Sequence, residues 1–211
     1  MRVLVAAGFA KSLVGFRGPL IQAMRLSEFT VATCAAEDDA AVTARLAGWG
    51  VRHQAVPLRR AGLNPFADRA YRDALVQLIN GERPDAILAY THKPVIYSAL
   101  AAARSACKPR VYAMITGLGF AFIGSGGLKQ RLAGAAVRFL YRRASKHFTG
   151  VIFQNPDDQA LFQELKLVRP ETPQIIVRGS GIDLEQFAFA RLGELEKSES
   201  GNLKPEDRNR T

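Results

Sequence analysis

Cysteine is scarce in this 211-residue chain: Cys34 and Cys107 are the only two. That is too few for a disulfide framework. A chain this long buries roughly 70 % of the surface its unfolded form exposes and needs no staples. Both thiols sit in apolar surroundings and read as reduced side chains in a reducing compartment. No uninterrupted apolar run reaches the roughly 18 residues of a membrane span. The opening MRVLVAAGFA carries only Arg2 as a charged region and ends at Lys11, which fits a buried first strand better than a signal peptide. Histidine is also rare. His53, His92 and His147 accompany neither CxxC nor HExxH, and Asp-x-Asp is missing, so neither a zinc site nor a metal–diphosphate motif is expected. No serine has a GxSxG setting, and the Walker and GxGxxG spacings are absent. No metal or resident cofactor is implied.

The most informative absence is of acid. From Ala86 to Pro156 there is no Asp or Glu, yet ten basic residues occur there. They are Lys93, Arg104, Lys108, Arg110, Lys129, Arg131, Arg138, Arg142, Arg143 and Lys146. The formal net charge is +10, and this one block equals the excess. Such a block points to a polyanionic partner: nucleic acid, anionic lipid head groups or a phosphorylated small substrate. Hydrophobic residues make up 48 % against 23 % charged, a globular balance that excludes disorder, collagen and coiled coil.

What is present is an alternation of short β-rich apolar runs with longer helical patterns. Strands are expected at Arg2–Ala7, Phe29–Ala35, Val51–Leu58, Ala86–Tyr90, Arg110–Thr116, Val151–Gln154 and Gln174–Arg178. Helices are expected from Pro19, from Asp38 towards Gly48, from Ala67 to Asn80 with Gly81 closing it, and from Pro94 to Ser105. Two more are expected from Leu128 to His147 and from Pro156. Strands that read as continuous apolar runs are covered on both faces, which predicts an α/β fold with a Rossmann-like, doubly wound parallel sheet of about seven strands. Residues 1–190 form the domain, and 191–211, poor in large apolar side chains, read as a flexible polar tail.

In such a sheet the loops after the strands are the candidate sites. The first, GFAKSLVGFRGP, offers Gly8 and Gly18 for close backbone approach and Lys11 and Arg17 as fixed cations. It either contacts an anion or is a glycine turn with two solvated charges. After the fourth strand comes THKP, where His92 either orients a hydroxyl, acts as a general base, or is a surface histidine before a proline-started helix. The loop TGLGFAFIGSGG, Thr116 to Gly127, is long and glycine-rich, with Phe120 and Phe122 able to cover an apolar ligand. In the helix that follows, Arg131, Arg138 and Arg142 make a basic ridge beside Leu128, Leu132, Ala135 and Phe139. That pairing suits an anionic bilayer interface, or equally a core-packed helix with solvated arginines.

Five segments in order, AGFAKSLVGFRGPLI, AYTHKPVIYSALAA, YAMITGLGFAF, VIFQNPDDQALF and GSGIDLEQF, resemble motifs from the amino-terminal half of family-4 glycosyltransferases. The closer likeness is to the bacterial enzymes that extend lipid-linked sugars for surface polysaccharides. The resemblance spans Met1 to about Phe189. It implies one amino-terminal half of a GT-B architecture, retaining hexosyl transfer from a nucleotide-sugar, and no required metal. It places Gly8, Lys11, Arg17 and Gly18 near the donor diphosphate. His92, Lys93, Thr116, Gly117, Gly119 and Asn155 fall near a lipid-linked or saccharide acceptor, with His92 and Thr116 as the candidates for a catalytic side chain. Thr116 stands where many members carry a histidine. Lys129, Arg131, Arg138, Arg142 and Arg143 would meet the inner face of the cytoplasmic membrane. The family's donor half carries two glutamates with seven residues between them, a spacing absent here. The expectation is therefore an acceptor-binding half, inactive alone, whose donor domain was lost by truncation or comes from a separate chain. The rival expectation is a basic α/β module that binds nucleic acid.

Overall fold

The computed structural model describes residues 1–36, 38–60, 62, 64–117 and 127–181, apart from the side chains of 128–130. Residues Met1–Ser180 make one compact unit, so a domain limit at 190 and a tail over 191–211 lie outside the described residues. In chain order the unit runs β1 (Arg2–Ala6), α1 (Ala10–Gly15), α2 (Gly18–Leu26), β2 (Thr30–Ala35), α3 (Ala40–Gly48), β3 (Arg52–Ala55) and α4 (Pro65–Glu82). It continues with β4 (Ala86–Tyr90), α5 (His92–Ala102), β5 (Arg110–Ile115), α6 (Leu128–Ser145), β6 (Gly150–Phe153), α7 (Pro156–Glu164) and β7 (Gln174–Ile176).

The seven strands form a single sheet in the order β3-β2-β1-β4-β5-β6-β7. Every pairing is parallel, with Val3 opposite both Val31 of β2 and Ala86 of β4. This is the expected doubly wound sheet. The chain moves outward from β1 to β3, then returns to β4 on the other side of β1, so the winding reverses between β1 and β4.

Strand alternation sorts the core into two layers. Leu4, Ala6, Ile87, Ala89 and Phe153 pack on Tyr71, Leu75 and Ile79 of α4, Val95 and Ala99 of α5, Tyr141 of α6 and Phe162 of α7. Val3, Val5, Val31 and Leu88 meet Leu13 of α1, Ile21 of α2, and Val42 and Leu46 of α3. Each such aliphatic side chain stabilises the fold by roughly 1.5–3 kcal/mol. Local chemistry starts the helices. Asp39 accepts from the N–H groups of Ala41 and Val42, and Asn64 from those of Phe66 and Ala67, satisfying donors that the helix itself cannot.

Several boundaries differ from the sequence expectation, β3 among them at only Arg52–Ala55, and three differences have a clear local cause. The first loop contains a helix, α1, because Ala10 and Leu13 bury one turn apart against the sheet. Gly81 does not close α4. The helix runs on to Glu82 and ends at Arg83, whose left-handed φ of 47° turns the chain and whose N–H donates to the Ile79 carbonyl at 2.8 Å. Burial of Leu78 and Ile79 outweighs the roughly 1 kcal/mol that glycine costs within a helix. Helix α5 begins at His92 rather than Pro94; a proline in the first turn removes an N–H that has no helical partner anyway.

Among the described residues no helix is long and apolar enough to cross a membrane. Cys34 is buried and free, and Cys107 is half-buried and free. Burial pushes the Cys34 thiol up to about 12.

Tyr71 is fully buried and stands edge-on to Tyr97 at 5.9 Å, and its hydroxyl has no hydrogen-bond partner among the described residues. Tyr71→Phe removes an unsatisfied polar atom while keeping the ring. It is expected to leave stability unchanged or raise it by up to about 1 kcal/mol, whereas Tyr71→Ala costs about 3–5 kcal/mol. Urea midpoints of the two variants provide the check.

Candidate functional site

The winding reversal opens a cleft at the carboxyl ends of β1 and β4. It has a volume of about 540 Å³ and is lined by Gly8, Phe9, Leu58, Arg60, Thr91, His92, Lys93 and Pro94. The Thr91 side chain packs directly on Gly8 here. A Cβ on Gly8 would lie 2.6 Å from the Thr91 Oγ1, so any other residue here requires the Thr91 side chain to move. Thr91 itself has φ 66° and ψ 156°, a region essentially reserved for glycine. Holding a β-branched residue there costs on the order of 1–3 kcal/mol. That strain sets the direction in which α5 leaves the sheet, and so where His92 stands.

The His92 ring is braced from behind. Its Nδ1 and the Tyr141 hydroxyl share a hydrogen bond of 2.7 Å, and the two rings meet edge-on at 6.0 Å. Tyr141, 1 % exposed, leans in turn edge-on against Phe162 at 5.2 Å. Burial lowers the His92 pKa below its ordinary 6.5, with the nearby Asp158 charge acting in the opposite sense. Its neighbour Lys93 plays a different part. The Lys93 ammonium donates to Asp68 Oδ1 at 2.6 Å and to the Arg59 carbonyl at 2.8 Å, with both charged side chains largely buried. It ties α5 to α4 and to the loop after β3. Across the cleft, the Arg60 guanidinium lies 4.7 Å from the centre of the Phe9 ring.

Arg17 organises a second cluster at the same edge of the sheet. Its guanidinium donates to the Ser180 hydroxyl and sits 4.9 Å from the centre of the Tyr90 ring. Gln154 donates to the same Ser180 oxygen at 3.0 Å, and Ser12 shares a 2.8 Å bond with the Tyr90 hydroxyl. Only 5 % of Arg17 is exposed, and its Nε has no hydrogen-bond partner among the described residues. Desolvation lowers its pKa while Tyr90 opposes the shift, and a guanidinium remains charged in this setting. Arg17 closes one end of an apolar groove of about 380 Å³ lined by residues such as Leu20, Leu88, Tyr112, Met114 and Ile152.

Residues 18–179 match the glycosyl transferase 4-like domain family. The chain belongs to that family. Its fold is similar to the glycosyltransferase of Rickettsia africae ESF-5, with a TM-score of 0.60 and 14 % identity over 95 % of this chain and 48 % of that one. It is also similar to Anabaena Alr3699/HepE in complex with UDP-glucose, with a TM-score of 0.61, 15 % identity and coverage of 95 % and 49 %. UDP-GlcNAc 2-epimerase from Neisseria meningitidis bound to UDP-GlcNAc matches with a TM-score of 0.61, 14 % identity and coverage of 97 % and 55 %. No curated protein sequence matches the chain. The chain thus spans about half the length of these structures, as one Rossmann-like half of a GT-B fold.

Within this glycosyltransferase 4-like domain the residues singled out from the sequence do not all meet. Of the donor-phosphate set, Gly8 lines the cleft and Arg17 the neighbouring groove. Lys11 is exposed on α1, and Gly18 is pressed against Trp49, whose ring would lie 3.1 Å from an added Cβ. Of the acceptor set, His92 and Lys93 share the cleft. Thr116 and Gly117 are half-buried just past β5, and Gly119, like Phe120 and Phe122, lies outside the described residues. Asn155 caps α7, accepting from the Asp158 N–H at 2.7 Å and donating to its carboxylate at 2.9 Å. On α6, Arg131, Arg142 and Arg143 are exposed, Arg138 is half-buried, and the Lys129 side chain is not described. Arg142 donates to the Leu165 and Lys166 carbonyls beyond the end of α7. Leu132 and Phe139 are 62 % and 63 % exposed. Among the described residues no group of three or more His, Cys, Asp or Glu side chains is placed to hold a metal ion.

Tyr141, Thr91, Arg60 and Ser180 were not foreseen as site residues. Only Thr91, one residue before His92, carried a local signal. Tyr141 is 49 positions from His92, and nothing in the linear pattern joins them.

Gly8→Ala is expected to destabilise the domain by about 1–3 kcal/mol through the clash with Thr91. In a Thr91→Ala background the same change costs little, and a double-mutant cycle by chemical denaturation reads the difference. Acid sensitivity follows from His92. Its folded pKa lies below the unfolded 6.5, so the stability it contributes is complete above that pH and is lost as pH falls through the folded value. His92→Gln is expected to flatten the decline in denaturation midpoint below pH 6.5.

Proposed function

We propose that this domain is the acceptor-binding half of a retaining hexosyltransferase that moves a sugar from a nucleotide-sugar to a lipid-linked or polysaccharide acceptor. The observation that carries the reading is the convergence of Gly8, Thr91 and His92 in one cleft at the winding reversal, in a chain of the glycosyl transferase 4-like family. The two neighbours solved with UDP-glucose and UDP-GlcNAc support a nucleotide-sugar as the donor class. Transfer requires the acceptor hydroxyl in line with the anomeric carbon, and charge on the departing diphosphate must be neutralised. His92 orients the acceptor hydroxyl, with Thr116 as the other candidate, while Arg17 and Lys11 supply positive charge on the donor side. No metal is required. Most donor contacts come from a second Rossmann-like half, from a separate chain if not from this one, and without it transfer is negligible.

The exposed Leu132 and Phe139 beside Arg131 and Arg143 on α6 favour peripheral contact with an anionic membrane face over nucleic-acid binding. Apolar side chains between arginines gain by entering a lipid interface and gain nothing from a phosphate backbone.

A short-chain prenyl diphosphate bearing a hexose is the probe for the first reading. It is expected to bind the full chain, and His92→Ala is expected to weaken it by about tenfold, equivalent to about 1.4 kcal/mol. Equal binding by wild type and variant, or robust turnover of a UDP-hexose by this chain alone, defeats that reading. Sedimentation with anionic vesicles tests the second. Phe139→Asp is expected to abolish co-sedimentation, and a steep salt dependence of oligonucleotide affinity without vesicle binding would instead favour a nucleic-acid module.

A further inference from the structure

The cleft carries Thr91, His92 and Lys93 from the turn after β4 and Arg60 from the loop after β3, and the proton on His92 decides what the imidazole can recognise. We propose that Tyr141 is a positioning residue for His92, donating its hydroxyl proton to Nδ1 and thereby fixing the imidazole as the Nε2–H tautomer. His92 is then a hydrogen-bond donor towards its other partners, suited to an oxygen lone pair on a sugar or phosphate, rather than a base that takes a proton from a hydroxyl.

The bond joins two helices, since His92 opens α5 and Tyr141 lies in the last turns of α6. Its 2.7 Å length is that of a well-formed bond. Between a phenol and a neutral imidazole, the phenol is the stronger acid and the ring nitrogen the stronger acceptor, which sets the direction of the proton. The packing admits little rotation: the tyrosine ring is clamped edge-on between His92 and Phe162, and Phe162 stands edge-on to Phe153 of β6.

The charged groups described around the imidazole come from α7, α5 and the loop after β3. Asp158 of α7 acts on both rings, raising the pKa of each. Arg60 and Lys93 line the same cleft, Lys93 held by Asp68. Burial keeps Tyr141 protonated and favours neutral His92, the two states that the donated bond needs. The hydrogen-bond direction stands independently of the glycosyltransfer reading; only its consequence for acceptor recognition rests on that reading.

Nitrogen-15 NMR of the histidine side chains in the full-length chain tests the proposal without any substrate, with His92→Gln identifying the resonance among the three histidines. At neutral pH wild-type His92 is expected to show a protonated Nε2 and an unprotonated, hydrogen-bonded Nδ1. A protonated Nδ1 in the wild type overturns the proposal at once, whatever the variants do. Tyr141→Phe removes the donor to the neutral ring, so the His92 pKa is expected to rise by roughly half to one unit and the tautomer to become mixed. A fall in that pKa, or an unchanged tautomer in a folded variant, also overturns it. Asp158→Asn separates charge from hydrogen bonding: it is expected to lower the His92 pKa and leave the Nε2–H tautomer in place. Loss of that tautomer there would assign the role to Asp158 instead. Acceptor binding then reports separately, because failure of the prenyl diphosphate probe with the tautomer intact removes the functional reading and not the bond.

Discussion

The near-contact of the turns after β1 and β4 is the constraint on which the cleft depends. Parallel pairing of the two strands brings their carboxyl ends side by side, and the chain must leave each in a different direction because the winding reverses there. Gly8 gives up its side chain so that Thr91 can approach. Thr91 accepts an unfavourable φ so that α5 can start at once. The strain is tolerable because β4 is buried along its whole length, and that burial exceeds the strain several-fold. A recess with His92 at its rim is the geometric result.

Around that recess the polar groups fall into two kinds. Lys93 and Asp68 form a buried pair between α4 and α5, and Asn155 and Asp158 satisfy each other at the start of α7. Such groups are tied up in holding helices, since a buried charge or amide without a partner is costly. Arg17 is the contrary case. It is almost wholly buried, meets a hydroxyl and an aromatic face, and has no described carboxylate against it. A guanidinium kept in that condition beside an apolar groove retains much of its capacity to meet an anion.

Helix α6 joins the interior to the outer surface. Its inner side carries Tyr141 and Ala144 into the core. Its outer side presents Leu132 and Phe139 among arginines, one of which, Arg142, supplies hydrogen bonds to carbonyls just past α7. The basic ridge is therefore partly structural, because a helix end offers unpaired carbonyls that a nearby cation satisfies.

The linear sequence determined the seven parallel strands, their covered faces and the address of the cleft. Short β-branched runs separated by helical patterns admit little else, and right-handed crossovers fix the rest. It also located Gly8 and His92, since both belong to turns that such a sheet must place at its carboxyl edge. It did not reveal that Gly18 serves Trp49, that Lys93 is spent on Asp68, or that Asn155 is a helix cap. Nor did it pair Arg17 with Ser180 or His92 with Tyr141. Those assignments arise only when α2, α6, α7 and the segment after β7 settle on the sheet, because side chains dozens of positions apart become neighbours through packing. Periodicity encodes which face of an element is buried; it carries no record of which polar atom on a distant element will be within 3 Å.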